Sequence, residues 1–374
     1  MNTVKNGNLI KAVAFFVIVA ILALTLVIVA NGWQDDTTKT DNSDAEGNKQ
    51  DTPTSGDADN DTPPQQNSPT TPETPETPEA PMYLCPITGL ETVEQISKSR
   101  PLVFTIDTNA PTYGISSARL IIEVPFENGT TRSLLFTYEG EKIGKLGSIT
   151  YTRDTLLELC KDFGGLSISL GNDSNKSNET TEEYEQVDLG KNTGYHYTEY
   201  ASFCYTNGDL VKAMITNLTI DRTLTHNFPF KFTGYFDTSL ELEEHAANLS
   251  INYGVNNKTY FAFDKDIGEY ILSKNTLEVR DLLNDKKSSF TNIFILFADS
   301  TTYETDKYTE TVLDLSCGEG LYFTNGKATK ILWSHTEEGN FVFLDQFGVE
   351  LLVNRGTSYI SFVKASMKGS VEYS

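Results

Sequence analysis

Histidine, tryptophan, methionine and cysteine are all scarce in this chain of 374 residues, which holds four His, two Trp, four Met and four Cys. The histidines His196, His226, His245 and His335 form neither HxxxH nor HxH spacing, so no metal site is expected. Cys85, Cys160, Cys204 and Cys317 make no CxxC pair, and buried thiols are expected of a domain with a large core. One or two disulfides are the alternative in an oxidising compartment. Basic residues are also short, with 29 Lys and Arg against 52 Asp and Glu and a formal net charge of −23. That balance excludes a broad basic face for nucleic acid and leaves no polybasic patch for a membrane surface. GxSxG, a Ser-x-x-Lys set, a Walker loop and a dinucleotide-binding glycine pattern are absent, so no cofactor is expected. The pair Cys317-Gly318, in SCGEG, lacks the His-Gly and Ser-His-Gly-Cys context of wall-crosslinking transpeptidases.

Long apolar runs are missing as well, with one exception. Residues 12–30, AVAFFVIVAILALTLVIVA, carry no charge. As a helix they rise roughly 28 Å, close to the ~30 Å hydrocarbon core of a bilayer. A cleaved leader has a shorter apolar region, and Ala30-Asn31-Gly32 is a weak cleavage signal. Lys5 and Lys11 precede the run, while Asp35 and Asp36 are the first charges after it, so the N-terminus is expected inside. The expected organisation is a short cytoplasmic segment at 1–11, a membrane span at 12–31 and a disordered stalk at 32–82. The stalk is rich in Thr, Pro and acid and ends in TPETPETPEAP. A coil of that length has an end-to-end distance of roughly 40 Å and a contour limit near ~160 Å.

The head begins at residue 83. Its first part, 83–236, mixes expected strands at 101–107, 120–124, 133–138 and 166–170 with two helices. One helix spans 152–161 with Thr152 as N-cap, and the other spans 207–217. A polar insert at 172–185 reads as a surface loop. The second part, 237–374, turns to strands at 258–263, 270–272, 290–297, 321–323, 328–333, 341–344, 351–353 and 359–363. TNGK, DQFG and NRGT supply turns between them, which points to a largely antiparallel sheet. The fold class expected is α+β: an N-terminal transmembrane helix, a disordered stalk, a mixed α/β domain and a β-rich antiparallel domain.

CPITGL at 85–90, Arg100-Pro101, Ile106-Asp107, the segment 114–132 and THN at 225–227 together resemble the YerB-like lipoprotein family. That family carries domain of unknown function 3048 and occurs in bacterial envelope proteins. GEGLYFTNGKATKILW at 318–333 and FLDQFGVELLVNRGTSYI at 343–360 look like its C-terminal domain. The resemblance covers residues 83 to 366 and implies an envelope location, with a transmembrane helix in place of the lipid anchor. Glu123, Thr131, Arg132, Ser148, His226 and Asn227 fall where the family pattern has polar residues of the same type. The family's Gly-x-x-Arg-Ser-x-Arg segment reads GKLGSIT here, so Gly147 and Thr150 stand in place of its two arginines. The resemblance thus implies a weakened hold on any anion, unless Arg153 takes over.

Asp107, Glu123, Arg132 and His226 are candidates for one polar cleft with acid/base capacity. The simpler reading makes Glu123 and Arg132 an ion pair between hairpin neighbours and His226 a loop histidine hydrogen-bonded to backbone. Tyr195, Tyr197, Tyr200 and Tyr205 are an exposed stacking patch or packing around the second helix. The candidate ligand-binding set is Asp107, Glu123, Thr131, Arg132, Ser148, His226 and Asn227. The expected role is that of a membrane-anchored extracytoplasmic protein in binding or assembly at the cell wall, with a wall polymer or envelope protein as partner. The alternative is an enzyme acting on a wall or lipid-linked precursor. The roughly eleven residues before the span are too few for a folded signalling domain.

Overall fold

The computed structural model describes residues 82–374, apart from 175–184, 200–202, 225–226, 235–241, 243, 305–308 and 337–339. The expected 1–11 segment, the 12–31 span and nearly all of the 32–82 stalk lie outside the described residues, as does the expected boundary at 236/237. Among the described residues no helix is long and apolar enough to cross a membrane.

The head is strand-rich with few helices. A 14-stranded sheet runs through both halves of the sequence. At its centre the strand Leu120–Pro125 pairs antiparallel with Thr131–Thr137 on one side and parallel with Ser358–Lys364 on the other. Outward on the first side come Leu102–Ile106, Leu146–Ile149 and Phe203–Thr206. Outward on the second come Asn292–Ala298, Cys317–Thr324 and Lys327–His335. The C-terminal part is therefore not purely antiparallel, because Ser358–Lys364 also runs parallel to Asn292–Ala298. Parallel pairing suits strands covered on both faces, and every residue of Leu120–Pro125 and Asn292–Ala298 is buried.

One face of the sheet is covered by the helix Asp154–Asp162 and an aromatic cluster. There Leu120, Ile122 and Val124 join Leu156, Leu159, Cys160, Phe163, Phe294, Trp333 and Phe341. A smaller, six-stranded antiparallel sheet packs on the other face. Its strands Asn248–Gly254, Asn257–Asp264 and Glu269–Lys274 alternate buried with exposed positions, the period-two pattern of a sheet with one covered side. Leu249, Phe261 and Leu272 meet Ile121, Leu135 and Tyr359 there. Because successive side chains on a strand point to opposite faces, Glu123 shares the face of Ile121 and looks into the seam between the sheets.

The expected strands are present, each within a few residues of its predicted ends. Asn207 caps the helix Gly208–Asn217 by accepting from the Leu210 amide at 3.0 Å. Thr152 does not cap the other helix. Its hydroxyl is buried without a partner among the described residues, and the Asp154 amide instead donates to Ser174 Oγ at 2.8 Å. Asn256, Asn275 and Asn325 adopt the left-handed conformation at hairpin turns, where asparagine tolerates positive φ. All four cysteines are free, and Cys85, Cys160 and Cys204 are buried. Burial raises the Cys160 thiol and pushes Cys204 up to about 12, so neither is a ready nucleophile.

Gly318 pairs with Trp333 across the ladder, and a Cβ on it would lie 2.2 Å from Phe297 O and 2.7 Å from the indole. The glycine leaves room for the Trp333 indole on the neighbouring strand. Gly318→Ala is expected to lower the urea midpoint of the full chain, by about 1–3 kcal/mol of stability, as overpacking does in a close-packed core.

Candidate functional site

The conspicuous polar feature of the seam is the Glu123 carboxylate, which has no exposed surface. Thr131 Oγ1 donates to its Oε1 at 2.8 Å, while Thr259 Oγ1 and Tyr359 Oη donate to Oε2, each at 3.0 Å. Lys274 Nζ completes the shell as an ion-pair partner of Oε1 and also donates to Thr259 Oγ1 at 2.7 Å. Thr259 and Lys274 are a cross-strand pair of the small sheet, and Thr131 and Tyr359 belong to strands flanking Glu123 in the large one. Burial, and secondarily the Glu123 charge, raises the Tyr359 phenol well above its ordinary value, which keeps it a donor. Asn257 Nδ2 donates to Thr131 Oγ1 at 3.2 Å, extending the network along the seam.

Of the sequence candidates among the described residues, Glu123 and Thr131 meet through their side chains, while Asp107 and Ser148 meet only through the backbone, the Asp107 amide donating to Ser148 O at 3.0 Å. Arg132 is a hairpin neighbour of Glu123, lying opposite Val124, but strand alternation turns it to the other face. The expected Glu123–Arg132 pair is replaced by two separate pairs: Glu123 with Lys274, and Arg132 with Asp173. Arg132 holds Asp173 in bidentate fashion at 2.8 and 2.7 Å and also donates to Tyr151 O at 2.9 Å. Arg153 joins this cluster, reaching Asp173 at 3.2 Å and both Glu127 oxygens at 2.9 Å. The Arg132 and Arg153 guanidiniums lie 5.3 and 4.7 Å from the Phe126 ring centroid. Burial raises the Asp173 carboxyl, but the Arg132 and Arg153 charges and hydrogen bonds outweigh it and hold the group below its usual range.

Ser148 is buried and donates to Pro111 O at 3.1 Å, whereas Asp107 uses Oδ1 to accept the Asn109 amide at 2.9 Å in a local turn. Asn227 is exposed, and His226 lies outside the described residues. Gly147 has φ of 142°, and a Cβ there would meet Cys204 O at 2.5 Å. A side chain at that position would require the backbone of this chain to shift. Among the tyrosines, Tyr205 is buried and lies edge-on to Tyr113 at 5.5 Å, with Lys145 Nζ 4.0 Å from both ring centroids. That is packing, not a free stacking platform; Tyr200 lies outside the described residues.

Lys274 and His335 were not among the sequence candidates. Lys274 had a legible signal: it occupies the inward parity of an alternating strand, in step with Tyr270 and Leu272. His335 lines a cleft of about 690 Å³ together with Glu158, Asp299, Tyr303 and Asp314. Its Nε2 donates to Asp162 Oδ2 at 3.1 Å. Burial lowers the imidazole pKa, but the Asp162 hydrogen bond and the Asp162 and Glu158 charges together raise it above the ordinary histidine value. These contacts are remote in sequence, and no spacing rule reveals them. Among the described residues no group of three or more His, Cys, Asp or Glu side chains is arranged to hold a metal ion.

Residues 87–221 match the family described as protein of unknown function (DUF3048) N-terminal domain, and residues 249–360 match its C-terminal domain. The crystal structure of the YerB protein from Bacillus subtilis is similar, with a TM-score of 0.67 at 21% identity over 78% of this chain and 99% of that one. No curated protein matches the chain.

Lys274→Met alone strands a buried carboxylate and is expected to cost about 3–5 kcal/mol in urea denaturation, whereas Glu123→Leu with Lys274→Met recovers part of that loss. A double variant no more stable than the single one contradicts this account of the pair. For His335, a folded pKa above the unfolded value of about 6.5 means that its contribution is fully present below that value. The contribution disappears as pH rises through the folded pKa. Side-chain NMR titration is expected to show the raised pKa, and Asp162→Asn to lower it.

Proposed function

We propose, from the premise that this chain belongs to the DUF3048 family, that it is a membrane-anchored extracytoplasmic protein whose head works in binding or assembly at the cell wall. The apolar run at 12–30 supplies the anchor in this reading, and the Thr/Pro-rich tract sets the head away from the bilayer. The observation that carries the choice of binding over catalysis is the state of Glu123. A carboxylate with no exposed surface and donors on both oxygens has no vacant position for an external substrate. The arginine cluster supports the same choice. Both guanidiniums face carboxylates, so an anionic wall or lipid phosphate would have to displace Asp173 or Glu127.

The head is expected to be retained on purified peptidoglycan or on one component of a membrane-protein extract from its own envelope, and to be released by competing soluble head. Absence of enrichment on both supports overturns the reading. Turnover of a wall or lipid-linked precursor by the purified chain, lost on Arg132→Ala with the fold intact, favours the enzymatic alternative instead.

A further inference from the structure

We propose that Lys274 and Glu123 become joined by an isopeptide bond from Nζ to Cδ, formed inside the folded head with release of one water. The pair has the features such a condensation needs. Lys274 Nζ touches the carboxylate, both side chains are buried, and they come from two different sheets, so the bond is a covalent tie across the seam. Holding the two groups together replaces a bimolecular encounter with an intramolecular one, worth an effective molarity on the order of 10⁵ M or more in well-oriented systems. Burying the separated charges is costly, and the neutral amide removes that cost.

The proton path is already assembled. Thr259 Oγ1 accepts from Lys274 Nζ at 2.7 Å and donates to Glu123 Oε2 at 3.0 Å, so one hydroxyl bridges the attacking nitrogen and the departing oxygen. Lys274 begins as an ammonium and Glu123 as a carboxylate. A first proton passes from Nζ through Thr259 to Oε2, leaving a neutral amine and a neutral acid. The Nζ lone pair then forms the N–C bond at Cδ, and the carbonyl electron pair moves to Oε1, where Thr131 Oγ1 donates at 2.8 Å. A second proton follows the same path to Oε2. The Cδ–Oε2 bond breaks as the carbonyl re-forms, and Oε2 departs as water while the Tyr359 phenol, 3.0 Å away, donates to it. Two protons leave nitrogen, one oxygen leaves carbon, and nothing is oxidised or reduced. Asn257 Oδ1, a buried oxygen without a partner among the described residues, is an acceptor on the same network for the water released.

The test is peptide mapping of the natively purified full chain by tandem mass spectrometry. The expected product is a branched peptide linking the Glu123 and Lys274 segments, lighter than their sum by one water. Linear peptides carrying unmodified Glu123 and Lys274, with no branched species, overturn the proposal. Lys274→Met removes the nucleophile and is expected to yield linear peptides alone; if that variant does not fold, the wild-type map still decides. Thr259→Val keeps both reacting groups and interrupts the proton path, so it is expected to slow bond formation about a hundredfold, as loss of a general acid–base group does. A Thr259→Val chain that cross-links as fast as the wild type, followed over time after denaturation and refolding, overturns the relay.

Discussion

Glu123 is the constraint around which the head is organised. A buried carboxylate is tolerated only when its charge and lone pairs are met, and here the partners come from both layers: Thr131 and Tyr359 from the large sheet, Thr259 and Lys274 from the small one. The two sheets are thereby held in one register. A slip of either by one residue turns Lys274 or Glu123 to the wrong face and strands the other as an unpaired charge. Apolar contacts such as Phe261 edge-on to Tyr359 at 5.0 Å add area to the seam but little directional information. The polar network supplies the address.

Much of this architecture was legible in the sequence. Runs such as LIIEVP and NIFILFA announce buried strands, and Asn207 announces a helix start, because these signals are local. The order of strands was not legible, since nothing in the composition of Ser358–Lys364 says that it inserts beside a strand more than two hundred residues earlier. The site was read in part. Glu123 and Thr131 were picked out together and do touch, but the partner assigned by hairpin proximity, Arg132, faces away. The true partner, Lys274, lies in the other sheet, and only its inward parity beside Tyr270 and Leu272 hinted at burial.

Close backbone approach and a charge cluster tie further elements of the head together. At Gly147 a Cβ would meet the Cys204 carbonyl oxygen at 2.5 Å, so the glycine goes with a close contact between neighbouring strands. Arg153 is fastened to Glu127 and Asp173, and together with Arg132 it is balanced by them in charge. Glu127 in turn accepts the Thr311 amide, so the cluster pins the hairpin Ser300–Glu304 and Thr309–Leu313 to the body of the head. Two guanidiniums held by two carboxylates thus behave as a structural clamp in this fold.

The position of Ser358–Lys364 has a consequence for how the chain is made. This late segment of the sequence is the strand that joins the two halves of the sheet, lying between Leu120–Pro125 and Asn292–Ala298. A polypeptide delivered N-terminus first therefore presents two open sheet edges, with unpaired backbone groups, until almost all of it has emerged. Completion depends on contacts very distant in sequence, which makes folding slow relative to a protein built from local pairs. During synthesis such a chain benefits from anything that shields those edges until the closing strand arrives.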